Sequence, residues 1–346
     1  MPPNDARVLT QRELNRALLA RQLLLERART PLPRALERVG GIQAQYAPSM
    51  YIGVWSRLEN FERDTLTRAL KRRSVVQGTL MRTTIHLVSA RDYWPFAVGV
   101  RRGSREWYVR VHRNVQARDM AAAARRLRPR FVGGPLRQAE IDELLGRARS
   151  RGVGLWLDMV RVPPSGTWER RRADLYAAAE DWLGPAKVTP DEGIEQLVRR
   201  YLGGFGPATP ADVASWAGLP VRAIAEALER LRLRRFRSED GDELIDLPRR
   251  PLPDPDTPAP VRFLPTWDAT LLVHARRTQI LPEPYRPLVF STKTPQSVPT
   301  FLVDGAVAGT WRHERGRVEL DPFARLGRAT RRELAEEGER LAAFHA

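Results

Sequence analysis

The chain has 346 residues, of which 42% are hydrophobic and 29% charged, as is typical of a soluble protein with two or three domains. It contains no cysteine, which excludes disulfides, thiolate nucleophiles and zinc–thiolate sites. No apolar run approaches the ~20 residues of a transmembrane helix. The N-terminus lacks a basic start followed by an apolar block, so no secretory signal is expected. We therefore expect a cytoplasmic protein.

Basic residues exceed acidic ones by 58 to 41, which gives a formal net charge of +17. A surface of this charge attracts polyanions, and nucleic acid is the first candidate. Lys71, Lys187 and Lys293 are the only lysines, so GC-rich coding explains why arginine replaces lysine. Such coding does not explain the excess of positive charge. Generic basicity is the alternative that charge alone leaves open.

The first elements predicted along the chain are two helices and an extended hairpin. A helix begins behind a capping box made by Thr10 and Glu13, and a second short helix ends at the glycine pair of residues 40–41. Residues 74–90 are rich in β-branched side chains and predict a hairpin or wing. The following helix is predicted to be interrupted at Pro95.

The third predicted module, residues 189–250, has the clearest pattern. It contains three helices, of which the second begins with Thr209 at the N-cap and Asp212 at N3. Two strands joined at a turn of residues 240–241 follow them. This order of elements is the winged helix-turn-helix plan. The preceding segments are compatible with weaker copies of it, so we predict tandem modules.

A proline-rich linker, residues 248–260, precedes a C-terminal region that is predicted to be rich in β-structure. Hairpin turns are predicted at residues 304–305 and 315–316. A final helix is predicted to open with a capping box made by Thr330 and Glu333.

The predicted fold class is α+β, mainly α, with tandem winged helix-turn-helix modules and a C-terminal β-rich domain. The predicted domains are a first winged-helix module at 1–120, a second at 121–188, a third at 189–250 and the β-rich domain at 251–346. Several modules in one chain could wrap a DNA duplex and leave one place free for chemistry.

Familiar catalytic motifs are missing from the sequence. It has no phosphate-binding loop, no dinucleotide fingerprint and no nucleophile elbow, and its five histidines form no i,i+4 pair, so we expect no metal and no cofactor. Gln43 and Gln45 stand between the glycine pair and Pro48. Glutamine does not titrate, but it can hold a water molecule. From spacing alone, two exposed surface or capping residues are the more ordinary interpretation.

Four segments together carry a resemblance to a known family. They are "ALERVGGIQAQYAPSMYIGVWSRLENF", "VVQGTLMRTTIHLVSARDYW", "RFLPTWDATLLVHARRTQILP" and "DGAVAGTWRHERG". The chain resembles the winged-helix DNA glycosylases of the AlkZ/YcaQ type over nearly its whole length. The most diagnostic element is the Gln-x-Gln motif, Gln43-Ala44-Gln45. Relatives of the YcaQ branch carry aspartate at the second position, so this chain is similar to the AlkZ branch.

The resemblance implies a monofunctional DNA glycosylase that hydrolyses the N-glycosidic bond of N7-alkylated purines with bulky or crosslinked adducts. The role would be DNA repair or self-resistance in producers of alkylating antibiotics. An N7-alkylated guanine is already cationic and leaves without a strong general acid. Two amide oxygens could then orient water toward C1′ and face the developing positive charge. The predicted catalytic residues are therefore Gln43 and Gln45.

The resemblance also suggests supporting residues, each with an alternative. Arg82 and His86 could contact a phosphate or the damaged strand, although His86 could equally be a buried histidine bonded to backbone. Arg276 and Arg277 could bind phosphate or could lie on a solvated surface. Asp268 could shape the site by holding an arginine, or form a structural salt bridge.

The expected partner is double-stranded DNA with alkylated purines, bound by a monomer that associates with the nucleoid and not with a membrane. The competing hypothesis is a winged-helix transcriptional regulator that binds DNA without chemistry. A non-catalytic lesion-binding protein is a third class. The sequence does not select among a methyl group, a mustard crosslink and an intercalated natural product as the adduct.

Overall fold

The computed structural model describes residues 6–271, 277–290 and 297–346. The α-helices of these ranges are α1 Gln11–Arg21, α2 Leu32–Val39, α3 Ala47–Trp55, α4 Arg63–Lys71, α5 Ala90–Val111, α6 Ala117–Leu127, α7 Gln138–Leu145, α8 Arg147–Val153, α9 Ala179–Leu183, α10 Pro190–Phe205, α11 Pro210–Ala217, α12 Val221–Arg230, α13 Arg286–Val289 and α14 Arg328–His345. The strands are β1 Val8–Leu9, β2 Ile42–Gln43, β3 Val75–Thr79, β4 Ile85–Ser89, β5 Leu136–Arg137, β6 Met159–Arg161, β7 Leu175–Ala178, β8 Arg234–Ser238, β9 Glu243–Asp246, β10 Arg262–Leu264, β11 Thr300–Val303, β12 Ala306–Glu314 and β13 Arg317–Pro322. Within the described ranges, no helix is both long and apolar enough to cross a membrane.

One antiparallel sheet of six strands runs through the first half of the molecule in the order β2-β4-β3-β6-β7-β5. Strands β3 and β4 form the hairpin predicted over residues 74–90, which is confirmed. Strand β3 also pairs with β6, where Gln77 faces Arg161 and Gly78 faces Val160. The sheet thus crosses the predicted boundary between residues 120 and 121, and the four domain ranges stay predictions.

Helix α5 runs through Pro95 without a break, so the predicted interruption is wrong. Proline removes one backbone hydrogen bond from a helix interior. Packing against α10 offsets this loss, because the two helices cross at Gly99 and Gly193 in very close approach. A methyl group at Gly99 would lie 2.8 Å from the backbone of Gly193. A hydrophobic core continues from this crossing around Phe96, Tyr201 and Trp216.

The third region contains α10, α11, α12, β8 and β9 in the predicted order. The capping box of Thr209 and Asp212 at the start of α11 is confirmed. One pairing was not predicted: β1 lies parallel to β8, with Val8 opposite Arg237. A strand of two residues has too little sequence pattern to be recognised.

Strands β10 to β13 form an antiparallel sheet in chain order, as the β-rich prediction requires. Its turns at Asp304-Gly305 and Arg315-Gly316 have positive φ at both residues, which is the geometry of a two-residue hairpin turn. The final helix begins at Arg328 with Gly327 at the N-cap. The predicted capping box at Thr330 is therefore wrong, because that residue already lies inside the helix.

The proline-rich linker of residues 248–260 is docked on α1 rather than extended into solvent. Its carbonyl oxygens accept hydrogen bonds from arginines of that helix: Arg12 to Pro255 at 2.7 Å, Arg16 to Thr257 at 2.7 Å and Arg21 to Pro251 at 3.0 Å. The segment between the third and C-terminal regions therefore has a fixed path across the N-terminal helix.

Candidate active site

The segment with the two glutamines is pressed against β4 by the glycine pair that precedes it. Gly41 has φ of 82°, and a side-chain carbon there would lie 2.9 Å from Val88 and 3.1 Å from the Leu87 carbonyl oxygen. Only glycine meets both demands without strain. The chain then forms β2, where Gln43 pairs with His86, and α3 begins at Ala47.

The two glutamine side chains lie in different surroundings. Gln43 is buried, with 4% of its surface exposed, and its Oε1 accepts a hydrogen bond from Nη2 of Arg82 at 3.3 Å. Gln45 is exposed, and its Oε1 accepts from the backbone N–H of Ile85 at 3.3 Å. An amide oxygen has two lone pairs, so each can accept one further hydrogen bond.

Arg82 links Gln43 to the third region. Its Nη1 donates to the carbonyl oxygen of Trp216 in α11. Its backbone has a positive φ of 52°, and a side-chain carbon at Gly218 would lie 2.9 Å from its Cα. Burial lowers the pKa of Arg82 to about 10, so the guanidinium stays charged at neutral pH. The side chain of Arg82, which was predicted to contact DNA, is thus hydrogen-bonded within the protein.

His86 is buried, with 3% of its surface exposed, and its Nδ1 lies 3.1 Å from the carbonyl oxygen of Thr84. Burial, aided by the charge of Arg82, lowers the pKa of His86 to about 3. The ring is neutral at physiological pH and donates from Nδ1 to the backbone. His86 therefore has the surroundings of the buried, backbone-bonded histidine that was the alternative, and its contact with DNA stays a prediction.

Asp268 forms a buried, bidentate ion pair with Arg57, with distances of 2.8 and 2.9 Å. Burial alone would raise the pKa of Asp268. The charge and hydrogen bonds of Arg57 and the hydrogen bonds of Thr270 outweigh burial and lower the pKa. Arg57 also donates to the carbonyl oxygen of Gly53 at 2.9 Å. Asp268 thus holds an arginine and joins the C-terminal region to the end of α3, an arrangement that both interpretations of this residue describe.

The other two predicted contacts lie elsewhere. Arg277 is buried, donates to the hydroxyl of Tyr201 at 3.0 Å and lies 5.0 Å from the ring centre of Phe205. It is therefore enclosed by protein rather than placed on the solvated surface that its alternative described. Arg276 lies outside the described residues.

Beside Gln45 lies an open cleft of about 830 Å³, here called the glutamine cleft. Trp107, Arg113, Arg151 and Arg161 are among the residues that line it, together with parts of β3, β4 and α5. No aspartate or glutamate occurs among its described lining residues. Gln43, Asp268 and Arg277 are not part of the lining either.

The aromatic and basic lining of this cleft was not predicted from the sequence. Trp107 has no local motif around it, and the three arginines are three among many in this chain. Arg151 and Arg161 come close to Gln45 through the pairing of β3 with β6, whereas Trp107 and Arg113 lie in and just after α5. In the described ranges, no three or more His, Asp or Glu side chains come together as a metal-binding group.

Comparison with known proteins identifies the class of enzyme. The family model of the AlkZ-like DNA glycosylases matches residues 36–344. The chain therefore belongs to this family of DNA glycosylases, which confirms the family expected from the Gln-x-Gln segment. No curated protein sequence matches the chain.

A solved structure shows the same fold. The chain is similar to the Streptomyces sahachiroi DNA glycosylase AlkZ, with a TM-score of 0.81 and 18% sequence identity. The match covers 98% of this chain and 97% of the other. The predicted mixed α and β fold class is confirmed.

Proposed function

We propose that this DNA glycosylase acts as a monofunctional enzyme on N7-alkylated purines that carry bulky or crosslinked adducts, in DNA repair or in self-resistance. The observation that carries the proposal is the position of Gln45. Its amide is exposed at the edge of a cleft that is lined by arginines and holds no carboxylate among its described lining residues.

The lack of a carboxylate in the glutamine cleft favours a base that is already a good leaving group. Glycosidases that cleave neutral leaving groups generally use a carboxylic acid to protonate them. An N7-alkylated purine carries a positive charge before the reaction and needs no such proton. The remaining task is to deliver water to C1′ as the sugar becomes oxocarbenium-like.

Gln45 is proposed as the residue that positions this water. Its Oε1 is held by the N–H of Ile85 and has a second lone pair for a water proton. The dipole of the amide would also face the developing positive charge. Gln43 is buried outside the cleft lining and would support the reaction indirectly, with its amide orientation set by Arg82. In this proposal Arg82 is a positioning residue and not a contact to DNA.

The proposed monofunctional mechanism agrees with the residue types at the cleft. A lyase step needs an amine that forms a Schiff base with the sugar. The described lining of the glutamine cleft contains no lysine. The expected product is therefore an intact strand with an abasic site.

The size and charge of the cleft support a bulky adduct in duplex DNA. A volume of about 830 Å³ is within the range of pockets that hold drug-sized ligands, roughly 300–1,000 Å³. Arg113, Arg151 and Arg161 could bind the phosphates beside the lesion. Arginine–phosphate contacts release counterions, so DNA binding is expected to weaken steeply with salt.

The test compares base release by the wild type, Gln45→Ala and Gln116→Ala. Gln116 is an exposed glutamine that does not line the glutamine cleft, and it is the matched control. The substrates are duplexes with one N7-methylguanine, one N7-mustard crosslink or no lesion. Strand breaks are counted after alkali and, separately, without it.

We expect breaks only after alkali, faster release from the crosslink than from the methylated base, and a rate for Gln45→Ala that is about 100-fold lower. Gln116→Ala should match the wild type. Equal rates for the two variants would refute the role of Gln45. Binding to undamaged duplex without any base release would instead support the regulator hypothesis.

A further inference from the structure

A second cavity of about 1,080 Å³ lies away from the glutamine cleft. Its walls come from the end of α1, the segment 23–29, α2 and the docked proline-rich linker. The charged residues in its lining are Arg27, Arg29, Arg38 and Arg262 with Glu26 and Glu59. We call this cavity the linker cavity. It shares no lining residue with the glutamine cleft.

Some of these charges are already compensated within the protein. Arg29 forms an ion pair with Glu59 at the surface. Arg27 pairs with Glu337, whose side chain is fully buried, and lies over the ring of Trp55. The lining charges that these pairs leave uncompensated are Arg38, Arg262 and the carboxylate of Glu26, so the linker cavity keeps a net positive charge.

Within the described residues, neither Arg38 nor Arg262 forms a salt bridge with a carboxylate. Arg38 is exposed, whereas Arg262 is buried with 8% of its surface accessible. A buried guanidinium is costly unless charge and hydrogen bonds compensate it. This pair of arginines is thus suited to receive an anion.

The hydrogen bonds of Arg262 are incomplete. Nη1 donates to the carbonyl oxygen of Val261 at 3.0 Å, and Nη2 makes a long contact of 3.4 Å with that of Leu25. Its Nε is buried and has no hydrogen-bond partner in the described part of the chain. Burial, with the nearby charge of Arg27, lowers the pKa of Arg262 to about 10, so the group is still protonated at neutral pH.

We propose that the linker cavity binds a phosphate group between Arg38 and Arg262. Phosphate oxygens match the planar donor fork of arginine and make strong, charge-assisted hydrogen bonds. The cavity is preformed, because hydrogen bonds from Arg12, Arg16 and Arg21 hold the linker wall on α1. The phosphate would come either from the backbone of bound DNA or from a free phosphoanion such as a nucleotide.

The first measurement is thermal unfolding of the full chain in inorganic phosphate and in chloride of equal ionic strength. The wild type should show a saturable rise in Tm with phosphate, since a ligand that binds only the folded state stabilises it. Arg38→Ala should lower the apparent phosphate affinity roughly tenfold. Arg331→Ala changes an exposed arginine of α14 outside the linker cavity and should leave the affinity unchanged. Arg262→Met is a second variant that removes the buried charge.

A second measurement distinguishes the two sources of phosphate with an undamaged duplex. If the DNA backbone is the ligand, Arg38→Ala should reduce the slope of log K against log salt by about one. If a free phosphoanion is the ligand, that slope stays unchanged while the rise in Tm needs roughly tenfold more phosphate than in the wild type. Both results support the proposal, and neither depends on base release. A wild type without a saturable phosphate shift would overturn it, as would variants that respond like the wild type in both measurements.

Discussion

Arginine side chains have opposite surroundings in two regions of the molecule. One region is the buried ion pair of Arg57 with Asp268, and the other is the glutamine cleft. Arg57 is almost fully buried and bonded to a carboxylate that lies 211 residues further along the chain. Arg113, Arg151 and Arg161 surround an open cleft, and within the described residues none of them forms a salt bridge. The arginine of the buried pair is therefore neutralised by a carboxylate, whereas the three cleft arginines keep their charge available for the proposed contact with DNA.

Removing one partner of the buried pair should give the largest effect on stability. Asp268→Ala leaves the Arg57 charge buried without its carboxylate, and we expect a loss of about 3–5 kcal/mol in the free energy of unfolding. Urea unfolding followed by circular dichroism measures it. Asp64→Ala breaks the exposed pair with Arg68 and should cost under about 1 kcal/mol.

A double variant refines the interpretation of this result. Arg57→Met with Asp268→Leu removes both charges and should recover most of the stability that Asp268→Ala loses. Equal losses from Asp268→Ala and Asp64→Ala would show that the buried pair does not join the two regions as described.

Histidine 86 provides a pH-dependent test of the buried region. The pKa of His86 is about 3 in the folded protein, below the ordinary value near 6.5, so the unfolded chain binds more protons between these values. Stability should therefore fall as the pH drops below about 6.5, by about 1.4 kcal/mol per unit. Between pH 7 and 5, urea unfolding of the wild type should lose roughly 2 kcal/mol more than that of His86→Gln. Parallel losses in both proteins would mean that His86 is protonated normally when folded.

An arginine of the glutamine cleft should affect DNA binding and leave stability nearly unchanged. Arg151→Ala is expected to weaken binding to a duplex at low salt and to reduce the salt slope by about one. Its free energy of unfolding should change by less than about 0.5 kcal/mol. Fluorescence anisotropy at several salt concentrations measures the slope. Arg312→Ala, an exposed arginine paired with Glu319, is the control and should keep the wild-type slope.

Local signals in the sequence predicted local structure well. The capping box of Thr10 and Glu13 is present at the start of α1, and the turn of residues 304–305 joins β11 to β12. These features depend on residues within one turn of each other. Thr330 shows the limit of such signals, because the same residue pattern also occurs inside a helix that begins earlier.

Contacts between distant segments could not be predicted in this way. Nothing near Gln43 in the sequence indicates that Arg82 will hold its amide, or that a carbonyl of α11 will hold Arg82. The Gln-x-Gln segment was recognised by resemblance to a family. That Gln43 is buried while Gln45 is exposed became visible only in the structure. The cleft arginines were missed for the same reason, since one arginine looks like any other in a chain with 58 basic residues.

The ladder between β3 and β6 has a mechanical consequence. Rotating the hairpin of β3 and β4 against the strands of residues 136–178 would break the pairing of Gln77 and Gly78 with their partners and leave two unpaired strand edges in water. The two halves of this sheet are therefore joined through their backbones, and under the proposed function the surface beside Gln45 has its shape before a duplex binds. We expect the double helix, rather than the enzyme, to bend when they associate.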